Sequence, residues 1–282
     1  MKNNIDSIYF PAARRFPHRA ARWNRIACSV LGKEKHKFTT TVKYLLPPSF
    51  LHLQETKIAF ISDLHYTGSS KCSGILKEII ACLKQENCDM LLLGGDICAN
   101  SSNLSLLPDV LKQLSECVPK CIAVMGNWER GKTWIPIEKW RKIYDRCNIE
   151  LLVNQAISCN GISVTGVDDC GKGYPELPES FSSNSCNILL AHRPDTVVWL
   201  DARKAHLENC HLALCGHTHA GQVRFFRGLL PASKYGWKFD FGFFSHKHHD
   251  TRMYVSSGTG ELSFPFRFNC RREVVIFTNR QK

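Results

Sequence analysis

Short apolar runs that stop at a glycine, an aspartate or a histidine recur along this chain. Ile58-Ala59-Phe60-Ile61, Met90-Leu91-Leu92-Leu93 and Cys121-Ile122-Ala123-Val124-Met125 have strand length and no polar interruption. That is the pattern of strands buried on both faces. Between them, Ile75, Leu76, Ile79, Ile80 and Leu83 recur at helical spacing, as do Val110, Leu111 and Leu114. A further helix is predicted over 135–146, around Ile135, Trp140 and Ile143. The first half of the chain therefore reads as βαβαβ with parallel strands.

The second half has a different rhythm. Ala156–Cys159 and Ile162–Thr165 flank Asn160-Gly161, a type I′ hairpin signal. Residues 171–186 are rich in Gly, Pro and Ser and read as a loop. Asn187–Ala191 and Leu212–Cys215 read as strands, with a helix over Val197–His206 between them. Met253–Val255 and Glu273–Phe277 close the chain as strands. The expected fold class is α/β, with mixed β in the second half, and no internal repeat is visible.

Composition narrows this reading. The chain has 282 residues, of which 44% are hydrophobic and 22% charged. It is long enough for a sizeable core, and bulk disorder is excluded. No run approaches the ~18 apolar residues needed to span a bilayer. The fourteen cysteines are scattered singly, without a C-x-x-C pair, and many lie in apolar stretches, which points to free thiols in a reducing cytosol.

The net charge of +12 is concentrated at the start. Residues 1–54 hold ten Lys/Arg and two acids, a net of +8. They read as a basic extension ahead of a body over 55–282. From Pro17 onward Trp23, Ile26, Val30 and Leu31 share one helical face, with Arg19, Arg22 and Arg25 largely elsewhere. Such a helix suits an anionic membrane surface. A solvated or packed extension stays open as the other reading. Nucleic acid is not the expected partner, and no protein partner is inferred.

Polar residues follow the strands in an ordered way. After Ile61 comes Ser62-Asp63-Leu64-His65, and after Leu93 comes Gly94-Gly95-Asp96. After Met125 comes Gly126-Asn127-Trp128-Glu129, after Ala191 comes His192, and after Cys215 comes Gly216-His217-Thr218-His219. In open α/β sheets the carboxyl ends of strands form the ligand crevice. Two Asp, one Asn and four His are thus expected on one rim. Carboxylate, amide oxygen and imidazole suit Mn, Fe, Co, Ni or Zn. Seven donors suit two ions if one carboxylate bridges, and two ions can clamp a phosphoryl group and activate water.

These motifs resemble the calcineurin-like metallophosphoesterase superfamily, whose pattern is D-x-H, G-D, G-N-H-[DE], a His and G-H-x-H. The resemblance spans about residues 57–278. It implies a four-layer sandwich, with two mixed β-sheets face to face and helices outside. It implies a hydrolase with Asp63, His65 and His219 on one ion, Asn127, His192 and His217 on a second, and Asp96 bridging, with Asp96 and Asn127 also catalytic. The expected cofactors are two divalent ions, Mn2+ first, with Fe, Ni or Zn as alternatives.

One position departs from the pattern. Trp128 stands where the family has a histidine thought to assist the leaving group. Indole donates one hydrogen bond but exchanges no proton near neutral pH. The departure favours a pyrophosphate substrate, whose leaving group needs no acid. Trp128, Arg130 and Arg193 are the candidate substrate-binding residues, and Lys132 is a further cation nearby.

The stretch from His217 to Arg224 and the tail from Ser233 to Phe277 resemble a membrane-associated bacterial branch of the superfamily. Members of one type cleave UDP-2,3-diacylglucosamine to UMP and lipid X in lipid A synthesis. The expected substrate is therefore a nucleotide-sugar lipid. The expected location is the cytoplasmic side of the inner membrane, held peripherally. A general phosphodiesterase or phosphatase for a soluble or nucleic-acid phosphoester is the alternative. Residues 225–249 interleave aromatic and basic residues and read either as an acyl-chain loop or as a cover for the core. His246, His248 and His249 read as surface residues.

Overall fold

The computed structural model describes residues 39–98, 101–131, 135–178, 181, 185–203, 205–224, 238–262 and 266–280. The amphipathic stretch after Pro17, Lys132 and residues 225–237 of the aromatic insert lie outside the described residues.

The strands are β1 (Thr39–Leu45), β2 (Lys57–Ile61), β3 (Met90–Leu93), β4 (Lys120–Val124), β5 (Ile149–Leu152), β6 (Gln155–Cys159), β7 (Ile162–Gly166), β8 (Cys186–Leu190), β9 (Leu212–Cys215), β10 (Gly242–Ser245), β11 (Arg252–Val255) and β12 (Arg272–Thr278). The α-helices are α1 (Ser70–Glu86), α2 (Leu107–Ser115), α3 (Asn127–Gly131), α4 (Ile137–Asp145) and α5 (Pro194–Ala202). One six-stranded sheet runs β1-β12-β2-β3-β4-β5 and the other β10-β11-β9-β8-β7-β6.

The side-chain alternation of each strand explains the layers. In β2, Ala59 and Ile61 join a cluster with Ile75, Ile79 and Leu83 of α1, Leu111 of α2 and Trp140 of α4. Ile58 and Phe60 point the other way, into a cluster shared with Ile188 of β8, Leu214 of β9 and Tyr254 of β11. In β9, Ala213 and Cys215 pack on Val197, Val198 and Leu200 of α5. The order is helices, sheet, sheet, helix, so the fold is the four-layer α/β sandwich expected from the sequence. Both faces of the central strands are covered, which is why they read as continuous apolar runs.

Local signals set the boundaries. Ser69 caps α1 by accepting the N–H of Cys72, and Asn87 ends it in the left-handed region. Pro194 sits at the first position of α5, so that helix runs 194–202 rather than 197–206. Asn160 and Gly161 take φ of 51° and 78°, as the β6–β7 hairpin requires.

The boundary at residue 54/55 needs correction. Within the 1–54 segment, β1 pairs in parallel with β12 from Thr39↔Arg272 to Leu45↔Thr278. Phe50 is buried in the core between the sheets. Asn279 Nδ2 donates to the carbonyls of Phe50, Leu53 and Gln54, and its Oδ1 accepts the Thr56 N–H. Residues 39–54 thus belong to the folded body. The polar, half-exposed TTTVKYL sequence of an edge strand carries no pattern that announces this.

Among the described residues, thirteen cysteines are free thiols. Burial pushes Cys121 and Cys210 up to about 12, so they act as small apolar groups. No helix among the described residues is long and apolar enough to cross a membrane.

Candidate metal centre

Five of the seven predicted residues lie in a backbone region that side chains avoid. Asp63, His65, Asp96, His217 and His219 have φ of 54°, 44°, 53°, 68° and 49°. A non-glycine residue held there costs about 1–3 kcal/mol and persists where its surroundings dictate it. Here the dictating partners are visible. Asp63 N–H donates to Gly95 O, His65 N–H to Asp96 O, and His217 N–H to Asp63 Oδ2 at 2.8 Å. The turns after β2, β3 and β9 thereby lock one another.

The side chains converge in two triads. Asp63, His65 and His219 form one, and Asp96, His192 and His217 the other, with the ligand atoms of each within 4.8 Å of one another. All six residues are buried. His65 Nε2 lies 3.1 Å from His219 Nε2, and His192 Nε2 lies 3.1 Å from His217 Nδ1. Asn127, at the start of α3, places its Oδ1 3.0 Å from His192 Nε2.

Asp96 links the triads. Its Oδ2 is 3.4 Å from His192 Nε2 and 3.7 Å from His65 Nε2. Its Oδ1 accepts the Trp128 N–H at 2.8 Å, which fixes the carboxylate plane. All seven residues predicted from the strand ends are therefore gathered at one rim.

The donor set fits divalent ions. Asp63 Oδ1 is buried with no hydrogen-bond partner and lies 3.6 Å from His219 Nε2. An orphaned carboxylate oxygen in a buried site is expensive unless a cation meets it. His192 Nδ1 donates to Gly94 O at 2.8 Å, which leaves Nε2 as the coordinating atom. No thiol joins either triad, so N and O donors for a borderline or hard cation remain.

Electrostatics follow from burial and crowding. Burial opposes ionisation of Asp96, but His192 and His65 and the Trp128 N–H override it and hold the carboxyl well below the usual range. Burial pushes Asp63 up, with Asp96 adding to the rise. Burial drives His65 down and His219 far down. His192 goes the other way. Its burial is outweighed by Asp96, Asp63 and Asp169, and it is pushed up to about 10. The proton on His192 and an arriving cation thus compete for the same negative field.

Two residues support the site in ways the sequence did not assign: Glu129, which the motif includes without a role, and Arg267. Glu129 Oε2 accepts the N–H groups of Asp96 and Gly126, and Oε1 that of Ile97. It pins the β3 and β4 turns together. Arg267, buried and held by Ser257 O and Gly260 O, donates from Nη2 to His219 Nδ1 at 3.0 Å. A single arginine between two phenylalanines gives no sequence signal. Trp128 sets its ring edge-on to His65, centroids 5.3 Å apart.

The remaining candidates fall outside the triads. Arg130 pairs with Asp168, and Arg193 with Asp169. Of the insert, Phe239 and Phe244 are buried under α5 and Phe243 packs on Tyr44 and Tyr254, so these rings cover the core. His246 and His249, read as surface residues, instead stack on each other half-buried beside Asp201. They lie at the opposite end of the second sheet from the triads.

Two facing mixed sheets with Asp/His triads at the carboxyl ends of their strands define a class, the metal-dependent phosphoester hydrolases. The chain belongs to the calcineurin-like phosphoesterase family, whose profile matches residues 56–221. It is 32% identical over 233 residues to the phosphodiesterase YaeI of Escherichia coli, covering 78% of this chain and 80% of that one. It is 27% identical to the metallophosphoesterase YkuE of Bacillus subtilis, covering 79% and 78%. A dimetal phosphatase from Danio rerio is similar in structure, with a TM-score of 0.49, 11% identity and coverage of 80% and 99%.

Proposed function

We propose that the chain hydrolyses a phosphodiester or phosphoanhydride with two divalent ions. Asp63, His65 and His219 would hold one ion, and Asn127, His192 and His217 the other. The observation that carries this reading is Asp96, whose Oδ2 faces both triads while Oδ1 is tied to the Trp128 N–H. When bound, such ions supply Lewis acidity and a water of lowered pKa. Mn2+, Fe, Ni or Zn fits this N/O set.

The chain's own residues do the rest. Gly94 O and Arg267 orient His192 and His219. Glu129 keeps Asp96 and Asn127 on adjoining turns. Trp128 occupies the edge of the site without a transferable proton. Water adds to phosphorus and the bond to the leaving oxygen breaks, so that oxygen must depart as a weakly basic anion. Aryl oxides and phosphate monoesters meet this condition, and simple alkoxides do not. The likeness to a phosphodiesterase supports the diester part.

A second, narrower reading is a nucleotide-sugar lipid such as UDP-2,3-diacylglucosamine, cleaved to UMP and lipid X at the cytoplasmic membrane face. Two observations favour it. Phe266 and Phe268 flank Arg267 beside His219, and are 55% and 44% exposed. Residues 1–38, ahead of β1, hold nine Lys/Arg and two acids, a net +7 that suits an anionic surface.

Product analysis with Mn2+ supplied tests both. Release of nitrophenol from bis(p-nitrophenyl) phosphate supports the first reading, and release of UMP from the acylated sugar nucleotide supports the second. A protein that binds Mn2+ yet cleaves neither overturns both.

A further inference from the structure

Arg130 and Arg193 reach the same loop from the two turns that carry Asn127 and His192. Arg130 lies one helical turn beyond Asn127 in α3, and Arg193 directly follows His192. Both turn to the loop after β7, where two consecutive acids receive them. Asp168 accepts Arg130 Nε at 3.0 and 3.2 Å, and Asp169 accepts Arg193 Nε at 2.6 Å.

The acids are fixed from behind. Asp168 Oδ1 also accepts the Asp169 N–H and Oδ2 the Tyr174 N–H, while Asp169 Oδ2 accepts the Gly171 N–H. The acid side chains are 4% and 0% exposed, against 27% and 14% for the arginines. Carboxylates therefore form the back wall and guanidinium groups the front.

The hydrogen bonds of both arginines to these acids use Nε. Among the described residues the planar Nη fork of each has no hydrogen-bond partner, and such a fork has the geometry that grips phosphate oxygens in pairs. A loop tie alone would need neither two arginines nor their placement next to Asn127 and His192. Gly171 sharpens the point. A Cβ there would sit 2.9 Å from Arg193 Cζ and 3.1 Å from Nη2, so the missing side chain is what lets this guanidinium lie where it does.

We infer that Arg130 and Arg193, pre-oriented by the Asp168–Asp169 pair, clamp a second phosphoryl group of the substrate, next to the one being attacked. The substrate class is an organic diphosphate. This rests on the reading of the triads as a phosphoester centre.

The test compares two substrates with Mn2+ supplied, bis(p-nitrophenyl) phosphate and a UDP-sugar diphosphate ester, in the full chain and in Arg130→Gln, Arg193→Gln and Gly171→Ala. The expected result is a fall in kcat/KM for the diphosphate that exceeds the fall for the diester by about 10- to 100-fold, as loss of a charge-assisted contact implies. Gly171→Ala, which keeps every charge, shifts the ratio in the same direction. In parallel, inorganic pyrophosphate inhibits the native chain more strongly than phosphate, and each arginine variant narrows that gap. Equal losses on both substrates in variants of unchanged melting temperature, with the inhibitor gap intact, overturn the clamp alone. Failure of the native chain on both substrates overturns the underlying reading instead.

Discussion

Trp128 reaches Asp96 through its backbone and not its side chain. Its N–H donates to Asp96 Oδ1 at 2.8 Å while its indole lies edge-on to His65. Any residue here except proline can hold Asp96, so the identity of the side chain can change to suit the leaving group. Trp128→His therefore keeps the metal centre and adds an exchangeable proton. The rate on alkyl phosphodiesters is expected to rise up to about 10²-fold relative to aryl diesters, the low end of general acid catalysis. An unchanged alkyl-to-aryl ratio refutes this account of Trp128.

Asp96→Asn keeps the acceptor for the Trp128 N–H and removes the charge between the triads. The expected outcome is fewer bound ions per chain and a loss of turnover well beyond the ~10–100-fold typical of outer-sphere changes. Elemental analysis and steady-state rates on the same sample check it. Near-native ion content and rate would end the bridging assignment.

Ion affinity should rise with pH. His192 is held at about 10, so it is protonated at neutral pH and an ion at Nε2 must expel that proton. Affinity climbs about tenfold per pH unit for one proton released. Mn2+ titration calorimetry in two buffers of different ionisation enthalpy measures the release. A flat affinity with no proton released contradicts it.

Glu273 makes a stability prediction of definite sign. Burial pushes its carboxyl above the ordinary 4.5, although the Ser257 N–H, the Tyr254 hydroxyl and Arg267 pull it down. The folded state then binds more protons than the unfolded one. This group's contribution is fully present below the unfolded value and is lost as pH rises through the folded value. Glu273→Gln retains an acceptor for both donors and removes the ionisation. At mildly alkaline pH the variant should be more stable than the native chain, by about 1.4 kcal/mol for each tenfold by which burial weakens the acid. The difference should vanish in acid. Urea denaturation across pH checks it, and a variant that is less stable throughout rules it out.

Asn279→Ala tests the junction of the first and last segments. It removes the acceptor of the Thr56 N–H and the donor contacts to three carbonyls. Of these, Phe50 O keeps the Leu53 N–H and Gln54 O keeps the Thr56 hydroxyl, so the Thr56 N–H and Leu53 O lose the contacts that Asn279 gave them. The expected loss is about 2–3 kcal/mol in urea denaturation, with ion affinity unchanged. A loss below ~0.5 kcal/mol would show that the junction is held by the β1–β12 ladder and Phe50 burial without help from Asn279.

The legible and illegible parts of this chain differ for physical reasons. Asp63, Asp96, Asn127, His192 and His217 could be picked out because each follows an uninterrupted apolar strand, and polarity that begins where burial ends has one meaning. Their grouping around two ions came from the family resemblance and not from spacing, since His65 and His219 are 154 residues apart yet 3.1 Å apart in space. Arg267 and Glu273 were hidden because their partners are main-chain groups together with one distant side chain each, His219 and Tyr254, which leave no local trace in residue identity. Asp168 and Asp169 were hidden because an acidic pair in a loop is ordinary. Strand β1 escaped because an edge strand with few buried side chains lacks alternation.

The direction of β1 has a consequence for the segment ahead of it. β1 runs parallel to β12 and β12 runs antiparallel to β2, so Thr39, opposite Arg272, begins at the end of the sheet where β2 delivers Asp63. Only β12 separates β1 from β2, a lateral offset of roughly 10 Å. The point where the cationic leader joins the body is therefore on the front of the molecule. A surface that captured the leader would be leashed to the mouth of the cleft, and its anionic molecules would meet the enzyme face first.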